Sequence, residues 1–372
     1  ALIAETGGLN AMIVDSTALP EQAVQAIIES AFQSAGQRCS ALRCLYLQED
    51  IADEVLTMLM GAMDCLRLGD PWHISTDIGP LIDAEARAAI LPHIERARSE
   101  GRILKEMPAP KQGTFLGPTL IEVPGIAALG QEVFGPVLHV ARFRAAEIDA
   151  VIRAINATGY GLTFGLQTRI DDRVQQVTDA LHAGNIYVNR NQIGAIVGSQ
   201  PFGGEGLSGT GPKAGGPLYL QRFCARDRRS GEAAPPMPPA RTEPDAITLP
   251  GPTGESNRLA LHPRLPLLCL GPGEAAARAQ MAAVHALGGQ AEAPDESPAP
   301  EALETFPAIS GVLWWGDEDT ARRCEQALAR RDGPILPLIP GLPEPAHVLT
   351  ERHICVDTTA AGGDAALLGR LS

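Results

Sequence analysis

Aromatic residues are scarce in this chain. Phe, Trp and Tyr together make up 4% of it, so a core must be filled by Leu, Ile, Val, Ala and Met. Basic charge is also short. The 30 Lys and Arg stand against 44 Asp and Glu, for a net charge of -14. A surface of that sign does not neutralise phosphates, so no nucleic-acid binding is expected through this region. An anionic substrate would need local donors, because the overall field repels it. The seven cysteines (39, 44, 65, 224, 269, 324 and 355) are odd in number and contain no CxxC pair. That argues against a disulfide framework and for a reduced, cytoplasmic setting with mostly buried, inert thiols. The eight histidines show neither HExxH nor any paired spacing, so no metal site is expected. No run of about 18 apolar residues occurs, which leaves peripheral contact as the only membrane association to consider. The opening ALIAETGGLN lacks a charged n-region and a long apolar stretch, so no secretory signal is expected.

What is present is enough apolar material, 45% of 372 residues, for two domains with separate cores. Patterning is strongest over roughly residues 1–225. Val24, Ile27, Ile28, Ala31, Phe32 and Ala35 recur at helical spacing, Pro20 suits the first turn, and Gly36 suits a helix stop. The alternation after Cys39, over 41–47, predicts a strand. A second helix follows, with Ile51, Val55, Leu59, Met63 and Leu66 on one face. Further strands are expected at 119–122, 137–143 and 184–189, and helices around 84–99 and 146–154. Helices alternating with strands define an α/β domain. Composition then changes at 227–245 (DRRSGEAAPPMPPARTEPD), where five prolines and several charges predict an inter-domain linker. Beyond it, LPLLCLGP, a helix at 274–287, GVLWWGD, a helix at 319–331 and ILPLIP form a small βαβαβ-like pattern. GPG at 271–273 opens a helix as a dinucleotide turn does. The full GxGxxG is missing and no acidic residue takes the ribose position, so the reading is a plain tight turn.

Two residues stand out chemically. Cys39 lies in GQRCS just past an amphipathic helix, with Arg38 beside it in sequence, and a nearby cation and backbone N–H groups lower a thiol pKa. Taken alone, that context leaves Cys39 either catalytic or structural. Glu5 precedes paired glycines in AETGGLN, where the backbone can approach a ligand, and its carboxylate could serve as a general base toward water. Taken alone, a solvated residue before a turn is the better reading.

Together they change the reading. ETGG (5–8) and GQRCS (36–40), 39 − 5 = 34 residues apart, resemble the glutamate and cysteine motifs of the aldehyde dehydrogenase superfamily. GDP (69–71), TDIGPLI (76–82), FLGPTL (115–120), EVFGPVL (132–138), GYGLTFGL (159–166), NIYVNR (185–190) and QPFGGEGLSGTGPKAGGP (200–217) follow in the family's order. GQRCSALR, NRNQIGAIVGSQPFGG and GLSGTGPKAGGP look like the glutamate γ-semialdehyde dehydrogenase branch found in bifunctional proline utilization proteins. LPGPTGESNRL (249–259), GPILPLI (333–339) and ERHICVDTTAAGGDAALL (351–368) are similar to the C-terminal extension of its longer members.

The resemblance implies an α/β fold: the aldehyde dehydrogenase catalytic domain at 1–226, the linker at 227–245, and a smaller Rossmann-like domain at 246–372 with a terminal flap at 351–372. It implies an NAD-dependent enzyme in which Cys39 is the nucleophile, its backbone N–H helps hold the oxyanion, and Glu5 activates the hydrolytic water. Glu132 and Phe134 match positions that hold the nicotinamide ribose. Ser40, Gly194 and Ala195 match those that anchor the substrate's α-carboxylate, and Phe202 flanks its aliphatic chain. The family's Rossmann domain and its oxyanion-hole Asn precede the glutamate motif, so the chain reads as part of a longer polypeptide. Its partners would be upstream domains of that polypeptide, including an FAD-bearing proline dehydrogenase barrel if bifunctional, and further copies in a homo-oligomer. The rival expectations are a dehydrogenase of another aldehyde, for which Ser40 and Gly194-Ala195 discriminate, and a non-catalytic scaffold, which predicts loss of Cys39 or Glu5.

Overall fold

A computed structural model describes residues 2–223 and 246–359. The linker expected at 227–245 therefore lies outside the described residues, as does the flap expected at 351–372 from residue 360 onward. The chain gathers into two compact units that interleave along the sequence. The larger comprises Gly7–Ser199, Pro250–Asn257 and Ile354–Ser372; the smaller comprises Ala1–Thr6, Gln200–Leu249 and Arg258–His353.

The larger unit is built on β1 (Ala11–Val14), α1 (Pro20–Phe32), β2 (Cys44–Gln48), α2 (Glu49–Asp64), α3 (Ala84–Ser99), β3 (Ile103–Glu106), β4 (Thr119–Glu122), β5 (Val137–Phe143), α4 (Ile148–Asn156), β6 (Tyr160–Gly161), β7 (Thr163–Gln167), α5 (Asp171–Ala180) and β8 (Asn185–Val188). Seven of these strands lie in the order β8-β7-β1-β2-β5-β4-β3. All neighbours are parallel except β3 with β4. Buried on both faces, the central strands read as unbroken apolar runs: every residue of AMIV in β1 is buried, and so is every residue of CLYLQ in β2. Ile27 and Phe32 of α1 and Leu59 and Met63 of α2 are at most 1% exposed within this core.

The expected helix at 84–99 and strands at 119–122 and 137–143 match α3, β4 and β5. Two expectations near Cys39 need correction. Helix α1 stops at Phe32, before Gly36. Ser34, Ala35 and Gly36 then take φ of 56°, 53° and 66°, three left-handed residues that turn the chain out of the helix. Gly36 is required by close approach, since a Cβ there would sit 2.2 Å from the Gly135 carbonyl oxygen. The strand expected from Ala41 starts at Cys44. The backbone N–H groups of Arg43 and Cys44 both donate to the Asn10 carbonyl, which holds residues 37–43 as a loop.

The smaller unit contains β9 (Glu205–Gly206), β10 (Ile247–Leu249), β12 (Leu267–Cys269), α6 (Gly273–Ala286), β13 (Ala291–Glu292), β14 (Gly311–Leu313), α7 (Glu318–Ala329), β15 (Leu338–Ile339) and α8 (Pro345–Val348), while β11 (Glu255–Pro263) and β16 (Leu349–Asp357) are each divided along the sequence between the two units. The strands β13-β12-β14-β15 form a parallel sheet, as the βαβαβ pattern predicts. At the GPG turn, buried Gln280 accepts from the Gly271 N–H and donates to its carbonyl, both at 2.9 Å. The turn's polar groups are thus satisfied by the protein itself.

Candidate active site

Cys39 sits half-buried in the loop between α1 and β2. The loop is pinned by Asn10, whose Nδ2 donates to the carbonyls of Cys39 (2.7 Å) and Ala41 (2.9 Å). The Oδ1 of Asn10 accepts from the Thr163 N–H on the neighbouring strand β7, at 3.2 Å. A buried amide with its hydrogen-bonding groups engaged holds one loop geometry, because each lost bond would strand a polar group. Ser40, also buried, has its carbonyl held by Thr163 Oγ1 (3.1 Å) and Gln192 Nε2 (3.4 Å). Gln192 leads directly into the Gly194-Ala195 turn. There Gly194 has φ 71° and open space where a Cβ would lie. Gln192, two residues before Gly194, thus ties this segment to the Ser40 main chain.

The cation that faces Cys39 is not the one expected from the sequence. Arg38 turns away, its Nε donating to Ser34 Oγ at 3.0 Å. Arg43 is fully buried instead, and its guanidinium interacts electrostatically with Cys39 and with Glu132. Burial disfavours its charge, and those two acids offset the cost. A single Arg inside the apolar run ALRCLYL is the signal that could have revealed a paired, buried cation. Glu132 takes the Arg43 Nε (3.2 Å) and Nη2 (2.9 Å) on Oε1 and the Gly8 N–H (3.2 Å) on Oε2. A Cβ at Gly7, where φ is 118°, would meet that Oε2 at 2.8 Å, so Gly7 of ETGG makes room for this carboxylate, while a Cβ at Gly8 would meet the Asn10 side chain. The Phe134 ring is 46% exposed, with the Arg43 guanidinium 5.3 Å from its centroid. It is therefore an open face and not a core residue. Behind Arg43, the buried His139 donates from Nδ1 to the Arg43 carbonyl (2.9 Å) and meets His93 Nε2 at 2.8 Å. Burial pulls the His139 pKa down to about 4.

Glu5 and Phe202 belong to the smaller unit. Glu5 pairs with Gly209 in an isolated bridge, and its Oε2 accepts the Gly204 N–H at 3.2 Å. Partial burial raises its pKa above the usual carboxylate range, opposed by the Gly204 N–H and by the Lys213 ammonium. Phe202 is fixed through its backbone to Ala214, N–H to carbonyl in both directions (3.0 and 2.8 Å). Lys213 is buried, its Nζ donates to the Gly203 carbonyl, and burial lowers its pKa to about 8. Glu351 accepts the Lys213 N–H at 2.7 Å and, with Glu205, Glu5 and Arg352, completes the charges around it. Neither Lys213 nor Glu351 was singled out from the sequence; they are 138 residues apart.

One consequence can be measured. Lys213 favours ionised Glu5, so Lys213→Met should raise the Glu5 pKa further. Any step that needs ionised Glu5 is lost as pH falls through that pKa. The acid limb of its pH–rate profile should therefore move to higher pH in the variant, and an unmoved limb would separate Lys213 from Glu5.

The larger unit holds a loop-presented thiol in the field of a buried cation and an oriented carboxylate beside an open aromatic face; the smaller unit holds a carboxylate whose basicity burial raises. The aldehyde dehydrogenase family matches this chain over residues 1–227, and the chain belongs to that family. The bifunctional protein PutA of Escherichia coli K12 is 43% identical to it over 99% of this chain and 33% of its own length. A crystal structure of bifunctional proline utilization A (PutA) is 56% identical, with a TM-score of 0.59, over 60% of this chain and 23% of that one. A 1-pyrroline-5-carboxylate dehydrogenase from Thermus, solved with bound NAD, is 36% identical with a TM-score of 0.55, over 59% of this chain and 43% of that one. The chain thus spans about a third of the curated relative's length, 33%. Among the described residues no helix is long and apolar enough to cross a membrane.

Proposed function

We propose that the polypeptide containing this chain oxidises L-glutamate γ-semialdehyde to glutamate with NAD, in the cytoplasm and as a homo-oligomer. Residues 1–226 supply the catalytic part and 246–372 a smaller domain whose terminal flap seals a substrate passage. By the likeness to bifunctional PutA, a proline dehydrogenase with FAD precedes them on the same polypeptide. The observation that carries this reading is the Cys39 loop, pinned by Asn10, facing Arg43, and followed by a buried Ser40 whose main chain is tied to Gln192, two residues before Gly194.

The Cys39 thiolate adds to the aldehyde carbon, forming a C–S bond and placing negative charge on the former carbonyl oxygen, which the Cys39 backbone N–H stabilises. When bound, NAD supplies the hydride acceptor for the oxidation. Glu132 and the open Phe134 face fit such a group: the carboxylate is pre-aimed by Arg43, and the ring is unburied. After oxidation the acyl group remains on Cys39 as a thioester. Glu5 takes a proton from water as the water oxygen attacks that carbon, the C–S bond breaks, and the thiolate is restored. Ser40, Gly194 and Ala195 hold the substrate's α-carboxylate and Phe202 flanks its chain. A neutral nest of this kind binds an anion without opposing the protein's net charge of -14.

Ser40→Ala tests the substrate assignment in the full-length enzyme. Loss of one hydrogen bond to a charged group costs about 1.5–3 kcal/mol, so kcat/KM for the semialdehyde should fall roughly ten- to a hundredfold. Propanal and hexanal, which lack the carboxylate, should be spared. An equal loss for all three would place the carboxylate anchor elsewhere and favour a different aldehyde as substrate.

A further inference from the structure

Among the described residues Arg43 is the largest fully buried side chain, and it carries a charge. Its guanidinium ties together two loops far apart in sequence. Toward the nucleophile loop, Nη2 donates to the Arg38 carbonyl at 3.1 Å, one residue before Cys39. Toward the EVFGP loop, Nε and Nη2 converge on Glu132 Oε1, Nη1 donates to the Gly135 carbonyl at 3.1 Å, and the cation lies over Phe134. Gly36, which admits nothing larger against Gly135, brings the same two loops into contact. The main chain of Arg43 is fixed as well, its carbonyl accepting both the N–H and the Nδ1–H of His139.

Burying an ion pair contributes little stability, and apolar side chains of similar volume often replace one without loss. The placement of this pair answers a different need. A carboxylate that must grip a ribose hydroxyl and a thiolate that must attack an aldehyde are both anions on adjoining loops. Left alone, the Glu132 charge would oppose ionisation of a nearby thiol. A guanidinium that engages Glu132 Oε1 and faces Cys39 lets both charges coexist. It also fixes the carboxylate so that Oε2 is the oxygen presented to the Gly8 side. A lysine provides the charge but not the planar fork that sets this orientation.

We propose that Arg43 is a positioning residue that aims Glu132 at the cofactor ribose while offsetting its charge beside the Cys39 nucleophile. This rests on the proposed roles of Cys39 and Glu132. The charged and titratable groups facing it are Glu132 and Cys39 at the guanidinium, His139 at its carbonyl, and His93 behind His139.

The experiment uses the full-length enzyme and two readouts besides turnover. The first is the rate of Cys39 alkylation by iodoacetamide across pH without cofactor, followed by peptide mass spectrometry. The second is the NAD dissociation constant. Arg43→Met should move the alkylation midpoint up by about one pH unit, and adding Glu132→Gln should recover part of that shift because the orphaned charge is gone. Arg43→Lys should keep the midpoint near that of the wild type but raise the NAD dissociation constant roughly tenfold, having lost the fork. Should Arg43→Met not fold, Arg43→Lys and Glu132→Gln carry the test: the first must weaken NAD binding at an unchanged midpoint, the second must lower the midpoint. Wild-type profiles and wild-type NAD affinity in the variants overturn the inference alone. Alkylation at Cys39 that leaves semialdehyde oxidation intact overturns the nucleophile assignment and this inference with it.

Discussion

Replacing Cys39 by Ala in the full-length enzyme is expected to reduce NAD-dependent semialdehyde oxidation by more than about a hundredfold, because covalent catalysis has no substitute nucleophile here. The other described thiols do not qualify. Burial raises the pKa of Cys44, pushes Cys355 up to about 12 and Cys269 up to about 11, and raises Cys324. Cys65 lies at the end of α2 with its thiol turned to the Gly61 carbonyl of its own helix. The substitution should spare the fold. Asn10 holds the loop through the main-chain carbonyls of residues 39 and 41, which Ala retains. Steady-state turnover measured beside circular dichroism and thermal melting separates the two effects. Residual turnover above about one percent with an unchanged melting temperature would remove Cys39 from the covalent step.

Glu5→Gln should divide the reaction. The Gln amide oxygen can still accept the Gly204 N–H, so the local geometry survives, but the side chain no longer takes a proton from water. A general base contributes about 10²–10⁴-fold, and that loss should fall on thioester hydrolysis and not on the oxidation that precedes it. Rapid mixing should then show a burst of NADH of about one equivalent per site, followed by a slow steady state. The wild-type hydrolysis step should decline as pH falls through the raised Glu5 pKa, whereas the variant's should lack that limb. Equal slowing of burst and steady state would assign Glu5 a positioning role instead.

Much of the larger unit was legible in the chain because its signals are local. Strands β4 and β5 and helix α3 carry enough apolar periodicity, and clear enough ends, to be bounded closely. Helix α5 was not visible: DDRVQQVTDA buries only Val177 and Thr178, too thin a stripe to read as a helix face. The early end of α1 was hidden for another reason. Apolar periodicity runs on through Ala35, and only the approach of residues 36 and 135 forces the left-handed turn. No local pattern marks out Asn10. Its role depends on carbonyls 29 and 31 residues away, which no sequence window connects.

By itself the sequence singled out Cys39 and Glu5 as the candidate nucleophile and base, since ETGG and GQRCS are contiguous strings whose composition reflects local backbone needs. It also determined the α/β class and the small parallel sheet after the proline-rich segment, through periodicity. Tertiary structure decided which charges act on those groups. Arg38 and Arg43 are the same residue type and both near Cys39 along the chain. Burial against Glu132 selects Arg43, while Arg38 is drawn off to Ser34. Lys213 and Glu351 are likewise brought together across 138 residues, and the field of Lys213 at Glu5 exists only once the chain is folded. Local pattern fixes identity because it is written in neighbouring residues. Electrostatic environment depends on distance and desolvation, and both are properties of the packed molecule.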